Sequence, residues 1–146
     1  MQKSKYIWFN GKFVPWNSAK THVLSHGLHY GSGIFEGIRA YSNKTNTFIF
    51  RLEDHYKRFY NSAKVAMIKI PYSKKVLEDA TIKLLKKNNL KDCYIRPLAF
   101  IGDGAIGINP ANNKINVIIA AFKWGTYLGD EGVKKGIRTK ISSFAR

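Results

Sequence analysis

The chain has 146 residues, of which 45% are apolar and 14% aromatic, a content sufficient for one folded domain with a hydrophobic core and incompatible with global disorder. No apolar run approaches the roughly 20 residues needed to span a bilayer, and no long apolar segment follows the basic N-terminus, so neither a membrane protein nor a secretory signal is predicted. The net charge of +16 on its own indicates a protein that binds nucleic acid.

The distribution of the basic residues argues against that interpretation. Lysines occur in every predicted element, and their densest cluster lies at the end of one predicted helix, where positive charge complements the helix dipole. The sequence contains no helix-turn-helix, zinc-finger or RNA-binding signature. We attribute the charge to a lysine-rich proteome and a more acidic partner domain, and keep a basic nucleic-acid-binding domain, recognised by steeply salt-sensitive binding, as the alternative of another class.

Two hairpins are predicted in the first third of the chain. Strands at residues 6–9 and 12–16 flank Asn10-Gly11, a residue pair with a strong preference for hairpin turns. A strand over residues 33–41 follows, and after a polar turn it pairs with a short strand over residues 47–50.

Two helices and two long strands complete the predicted domain. Apolar residues at steps of three and four predict a helix over residues 52–67. A second helix begins after Ser73, a favourable N-cap, and ends near Asn88-Asn89. The strands cover residues 92–101 and 115–124, and the apolar run in the second predicts burial on both of its faces.

The composition divides the chain into three parts. Residues 1–124 predict one small α/β domain, residues 125–136 a glycine-rich connector, and residues 137–146 a stub whose alternating residues predict the first strand of a further domain. Because such a strand has no partner in the chain, and because the chain ends on Arg146, we expect a fragment of a longer protein, produced by design or by proteolysis.

The stretch over residues 25–39 contains the first candidate site. It predicts a loop or short helical turn with two histidines and a tyrosine, which leads into a strand. Alternation in that strand places Phe35, Gly37 and Arg39 on one face. The opposite face then carries Ile34, Glu36 and Ile38. Phe35, Gly37 and Arg39 could line a pocket in which the glycine admits a ligand to the backbone and Arg39 binds an anion. Alternatively, Gly37 marks a bulge and Arg39 meets a surface carboxylate.

A second strand repeats this arrangement. Tyr94 and Arg96 share a face, and if both strands belong to one sheet, Arg39 and Arg96 can face the same cavity. Two guanidinium groups without carboxylates are costly to bury, and an anionic ligand would relieve that cost. The alternative is a strand with an exposed arginine.

Three other patterns are interpreted as structural. Residues 102–107 match G-x-G-x-x-G, but Asn109-Pro110 leaves no helix to receive a pyrophosphate. His26 and His29 lack a third ligand, so local hydrogen bonds are expected rather than a metal site. The single cysteine, Cys93, is expected to be a small core residue and, with no disulfide possible within the chain, fits a cytoplasmic protein.

Five motifs in order along the chain carry a family resemblance: YIWFNG (6–11), SHGLHYG (25–31), FEGIR (35–39), YIRP (94–97) and VIIAAFKWGTYLG (117–129). Together they resemble the N-terminal part of the branched-chain-amino-acid aminotransferases, which are fold-type IV pyridoxal-phosphate enzymes. The resemblance implies an α/β (α+β-like) domain in which two helices pack on a mainly antiparallel sheet, the small domain of a two-domain enzyme.

The resemblance also implies roles for particular residues. Spacing alone makes Arg58 a solvated flank of its helix, but it matches the arginine that binds the cofactor phosphate. Seven residues match substrate contacts: Phe35, Gly37, Arg39, Tyr94, Arg96, Trp124 and Tyr127. Among these, Tyr94 and Arg96 match contacts to carboxylates, with Arg96 and Tyr127 accepting the side-chain carboxylate of glutamate, and Phe35, Gly37, Trp124 and Tyr127 match an apolar pocket. Three residues match contributions across a subunit interface: Tyr30, Ile106 and Ile108.

The implied activity is transfer of the amino group between leucine, isoleucine or valine and 2-oxoglutarate by a cytoplasmic homodimer or higher homo-oligomer. No lysine of the chain matches the one that carries pyridoxal 5′-phosphate as a Schiff base. We therefore expect residues 1–146 alone to be inactive and to hold no cofactor covalently. D-amino-acid transaminase and aminodeoxychorismate lyase, which share the fold type, are the alternative activities.

Overall fold

The structure, a computed structural model, describes residues 2–125 and 129–143. The first hairpin forms as predicted, from β1 (Tyr6–Phe9) and β2 (Lys12–Pro15). Asn10 and Gly11 between them have φ angles of 47° and 89°. Two left-handed residues in a row give the backbone twist of the tight hairpin turn that Asn-Gly favours.

One antiparallel sheet organises the domain. Its remaining strands are β3 (Gly33–Phe35), β4 (Ile38–Ser42), β5 (Thr47–Ile49), β6 (Cys93–Ile101) and β7 (Ile115–Phe122). The order across the sheet is β2-β1-β7-β6-β4-β5, with β3 also paired to β6, and all these pairs are antiparallel. This confirms the expected α+β architecture with a mainly antiparallel sheet.

The two predicted helices cover one face of this sheet. They are α2 (Leu52–Val65) and α3 (Lys74–Lys87), and the Ser73 hydroxyl caps α3 by accepting a hydrogen bond from the Val76 N–H at 3.3 Å. The core between helices and sheet contains Trp8, Ile38, Tyr56, Phe59, Leu77, Leu84, Ile95, Val117 and Ile119. Burial of each large side chain stabilises the fold by about 1.5–3 kcal/mol, so this layer fixes which sheet face stays uncovered.

The single strand predicted over residues 33–41 is instead two strands, β3 and β4. Both pair with β6 in the same register, from Phe35 opposite Leu98 to Ile38 opposite Ile95. The Glu36 N–H still donates to the Pro97 carbonyl at 3.0 Å. Pro97 has no N–H to return that bond, so the ladder is interrupted at this point although the chain direction continues.

Three segments outside the sheet complete the described chain. The helical turn predicted after Ser25 is α1 (His26–Tyr30), and a helix, α4 (Gly129–Lys135), lies within the predicted connector. The strand predicted over residues 137–144 does not form as far as residue 143, because those residues pair with no other strand. None of the described helices has the length and apolar content needed to cross a membrane.

Candidate active site

The predicted site residues from the two strands lie on one face of the sheet. Arg39 lies directly opposite Tyr94, and β6 continues with Arg96 on the same side because side chains alternate. Phe35, with 61% of its surface exposed, lies on this side as well. We call this side, opposite α2 and α3, the open face. The structure thus places both arginines on one side, as the sequence predicted.

Arg96 is held by its neighbours and by no carboxylate. Its Nη2 and Nε donate to the Tyr94 hydroxyl at 2.7 and 3.2 Å, and its guanidinium carbon lies 4.4 Å from the Phe35 ring centroid. A guanidinium has five donor hydrogens, so most of its donors remain available. No acidic side chain forms an ion pair with Arg96 in the part of the chain that the structure describes. The group is arranged to receive an external anion.

Gly37 makes room for this arrangement. The register places it opposite Arg96, and a Cβ at Gly37 would lie 2.5 Å from the Tyr94 hydroxyl oxygen. That distance is shorter than any real contact, so a side chain there would displace the phenol. The expectation that this space admits a ligand to the backbone needs correction, because the Tyr94 hydroxyl already fills it.

Arg39 reaches the end of β7 rather than the Arg96 guanidinium. Its Nη1 donates to the Trp124 carbonyl oxygen at 3.3 Å, and the Trp124 ring packs edge-on against Tyr94 with centroids 4.9 Å apart. Phe122 completes this aromatic cluster at 5.6 Å from the Tyr94 ring. Arg39 therefore anchors the residue that borders Tyr94. Tyr127, also predicted here, lies outside the described residues.

An apolar hollow of about 420 Å³ adjoins this cluster between α1 and the open face. Phe35 separates it from Arg96, and Leu98 and Ile118 from the neighbouring strands form its floor. Gly37 and Trp124, which the resemblance implied as further parts of an apolar pocket, do not line this hollow. Phe35 is thus the predicted residue that borders both an apolar space and a guanidinium.

Arg58 approaches the same strand segment from the helix-covered side. Its Nε and Nη2 donate to the two carboxylate oxygens of Glu36 at 2.5 and 2.7 Å. The same carboxylate accepts from His55 Nδ1 at 3.0 Å and from the Gly37 N–H at 3.3 Å. Burial would raise the pKa of Glu36, but the hydrogen bonds from Arg58 and His55 outweigh that effect and lower it below its ordinary value. Neither Glu36 nor His55 was predicted from the sequence as a partner of Arg58.

Arg58 fits a phosphate group. Two thirds of its side chain remains exposed, and together with Arg51 and His55 it lines a hollow of about 360 Å³. Its Nη1 forms no hydrogen bond within the described residues. The nearby carboxylate of Asp54 is paired with Arg51 at 2.8 Å. The exposed donors of this hollow are therefore cationic, which suits a dianion.

The predicted interface residues meet within this chain. The Tyr30 hydroxyl donates to the Ile106 carbonyl at 2.9 Å, while Ile108 keeps 87% of its surface exposed. Their loop is shaped by Asn113, whose amide bonds to Gly102 and Ala105. No helix follows the glycine-rich segment, which agrees with the rejection of a dinucleotide site.

The histidines of α1 form local hydrogen bonds, as expected. His26 Nδ1 lies 2.7 Å from the Ser32 hydroxyl, and His29 Nε2 lies 2.9 Å from the Val23 carbonyl oxygen. Among the described residues, no group of three or more His, Cys, Asp or Glu side chains could hold a metal ion. Cys93 is buried with 1% of its surface exposed, as predicted for a core residue.

Comparison with known proteins gives the class to which this fold and site correspond. The Amino-transferase class IV family matches residues 33–146, and the chain belongs to this family.

Individual relatives agree with the family assignment. The chain is 46% identical to the branched-chain-amino-acid aminotransferase of Pseudomonas aeruginosa over 140 residues, which is 96% of this chain and 46% of that protein. The crystal structure of the Escherichia coli branched-chain amino acid aminotransferase is 47% identical, has a TM-score of 0.92, and is matched over 99% of this chain and 48% of that one. The chain therefore spans about half the length of the curated relatives it matches.

A third comparison involves a complex. A thermophile-type relative, the T.th. branched-chain amino acid aminotransferase, has been solved with N-(5′-phosphopyridoxyl)-L-glutamate and is 51% identical, with a TM-score of 0.81 over 85% of this chain and 42% of that one. The family position of the chain is thus supported by sequence and by fold across nearly all of its described length.

Proposed function

We propose that this chain is the N-terminal part of a transaminase that moves the amino group between leucine, isoleucine or valine and 2-oxoglutarate. The observation that carries the proposal is the Arg96 guanidinium on the open face, hydrogen-bonded to Tyr94, packed over Phe35 and not ion-paired with a carboxylate. A site of this kind receives a carboxylate on the guanidinium and an aliphatic chain beside the aromatic ring. Charge-assisted bonds of this type contribute about 1.5–3 kcal/mol each.

In this proposal the edge of the sheet at residues 35–37 lies between two anion-binding groups. Arg58 holds the phosphate of pyridoxal 5′-phosphate from the helix side, and Arg96 holds a substrate carboxylate on the open face. The cofactor, when bound, supplies the electron sink that the amino-group transfer requires. The residues of this chain orient the two ligands and exclude water with their aromatic rings. The ligand of the T.th. complex, which joins a phosphopyridoxyl group to glutamate, has both anionic ends.

The same family position supports a branched aliphatic substrate. A further T.th. structure is a complex with 4-methylvaleric acid, a branched carboxylic acid, and that protein is 51% identical to this chain. The hollow beside Phe35 gives this chain an apolar space next to a guanidinium. Tyr94, Arg39, Gly37 and Trp124 are assigned to the support of this site, and Tyr127 to a contact with the glutamate carboxylate.

The test is a substrate panel assayed on the full product of the gene with pyridoxal 5′-phosphate and 2-oxoglutarate. Turnover of L-leucine, L-isoleucine and L-valine is expected. Turnover confined to D-alanine or D-glutamate, or release of 4-aminobenzoate from aminodeoxychorismate, would replace this proposal with one of the two rival activities. The chain of residues 1–146 alone, mixed with the cofactor, is expected to show no turnover and no covalent cofactor absorbance.

A cytoplasmic homodimer or larger homo-oligomer belongs to the same proposal. Leu28, Tyr30 and Ile108 expose 63%, 50% and 87% of their surfaces at α1 and the neighbouring loop. Apolar residues so close together are typical of a surface that a second copy covers. Sedimentation of the gene product should give a dimer or larger species that Ile108→Asp weakens, and a monomer at micromolar concentration would contradict this part of the proposal.

A further inference from the structure

Glu36 is the one buried acid among the residues that the structure describes. Its side chain is 3% exposed, and it accepts four hydrogen bonds, two from Arg58, one from His55 and one from a backbone N–H. Removing a carboxylate from water is costly unless its lone pairs are satisfied. Here every one of the donors lies beside the candidate site, so the carboxylate and the site are built together.

The geometry leaves one edge of Arg58 outward. Glu36 binds the Nε and Nη2 edge in a two-point fork, which fixes the plane of the guanidinium. The Nη1 hydrogens and the exposed side of the group remain directed away from the carboxylate, beside the hollow that His55 and Arg51 also line. His55 donates its Nδ1 hydrogen to the same carboxylate, so its Nε2 is the nitrogen left for that hollow.

We propose that Glu36 is a positioning residue for the phosphate site: it holds Arg58 and His55 in one fixed arrangement, so that a phosphate group meets a preorganised guanidinium edge. This inference rests on the proposed function, which assigns Arg58 to the cofactor phosphate. Glu36 itself touches no ligand and acts through Arg58. Both its neighbours on the open face, Phe35 and Gly37, belong to the substrate site, so one short segment couples the two.

An opposite role for Glu36 is physically possible and makes the inference testable. A carboxylate beside an arginine also neutralises its charge, and in that case Glu36 competes with the phosphate. The two roles predict opposite signs. Loss of a positioning carboxylate weakens phosphate binding, because Arg58 regains side-chain freedom that binding must remove again. Loss of a competing carboxylate strengthens binding.

The experiment compares pyridoxamine 5′-phosphate with pyridoxamine, neither of which has an aldehyde that requires a lysine. Binding to the 146-residue chain is followed by the ¹⁵N–¹H resonance of the Arg58 Nε–H. The wild-type resonance should shift with pyridoxamine 5′-phosphate and not with pyridoxamine. Glu36→Gln should bind the phosphate ester about two- to tenfold more weakly. Equal or tighter binding by the variant would overturn the inference, as would a wild-type resonance that ignores the phosphate ester.

The matched control is Glu53→Gln, which removes the same charge from an exposed residue at the start of α2 that pairs with Lys74 at 2.9 Å. It should bind like the wild type, and a loss equal to that of Glu36→Gln would reduce the effect to net charge and overturn the inference.

A measurement on the wild type decides the question even if Glu36→Gln does not fold. With the phosphate ester bound, the Arg58 Nε–H should remain hydrogen-bonded to Glu36 and exchange slowly with water. Fast exchange on binding would show that the ligand displaces Glu36 and would overturn the inference. Transaminase turnover by the gene product is independent of these results: its absence would defeat the proposed function, whereas failure of the Glu36 tests alone would leave that function standing.

Discussion

The hydroxyl of Tyr94 occupies the space that a side chain at residue 37 would need. The distance from an ideal Cβ at Gly37 to the Tyr94 hydroxyl oxygen is 2.5 Å, and to the ring carbon that carries it 3.3 Å. Because that hydroxyl is also the acceptor for two donors of Arg96, the size of residue 37 determines where the guanidinium lies.

Gly37→Ala should therefore disturb the open face more than the fold. The Tyr94 ring has to move, and overpacking of this kind costs about 1–3 kcal/mol. We expect a lower melting temperature and weaker binding of 2-oxoglutarate by the gene product. Gly107→Ala is the matched control, since a Cβ at Gly107 meets nothing within 4 Å. Equal behaviour of the two variants would show that Tyr94 adapts without consequence.

Tyr94→Phe removes the acceptor and keeps the ring. Arg96 would lose both hydrogen bonds to the phenol, while the ring contacts with Phe122 and Trp124 remain. Hydrogen bonds to charged groups contribute about 1.5–3 kcal/mol, so affinity for 2-oxoglutarate should fall about tenfold or more with only a small change in melting temperature. Isothermal titration calorimetry and thermal unfolding on one preparation separate these effects. Unchanged affinity would mean that Tyr94 does not orient Arg96.

Glu36 predicts a specific dependence of stability on pH. Its pKa in the folded chain is lower than the ordinary value of 4.5. The ionised carboxylate therefore stabilises the fold at pH values above about 4.5, and this contribution is lost as the pH falls through the folded pKa. The difference in free energy of unfolding between wild type and Glu36→Gln, from urea titrations, should be constant near pH 7 and shrink below pH 4.5. A difference that stays constant down to pH 3 would contradict the assignment.

Cys93 should be inert in the folded chain. Burial raises the pKa of its thiol to about 11, so almost none of it is the reactive thiolate at pH 8. A disulfide reagent such as Ellman's should react only as fast as the protein unfolds, and at once in urea. Rapid reaction under native conditions would place Cys93 outside the core.

The sequence contains most of the local structure. Asn10-Gly11 determines the first hairpin, Ser73 begins α3, and the apolar stripe of α2 packs where its spacing predicts. The alternation that put Arg39 on the substrate side also gives the correct face for Arg96. These features depend on residues within a few positions of one another, and so they are readable from one chain.

The features that were not predicted depend on distant residues. The interruption between β3 and β4 arises because Pro97, on another strand, lacks an N–H. The pairing of Glu36 with Arg58 joins a strand to a helix across 22 positions. One signal was present: alternation placed Glu36 with Ile34 and Ile38 on the buried face, and a buried carboxylate requires a cationic partner.

The central claim is that Arg96 receives a carboxylate that 2-oxoglutarate has and the branched-chain oxo acids lack. The measurement is the KM of the gene product for 2-oxoglutarate and for 4-methyl-2-oxopentanoate, in wild type and in Arg96→Leu, with Lys75→Leu on α3 as a charge control. We predict that Arg96→Leu raises the KM for 2-oxoglutarate about tenfold or more relative to that for the monocarboxylate. An equal change for both oxo acids, or none, would contradict the account.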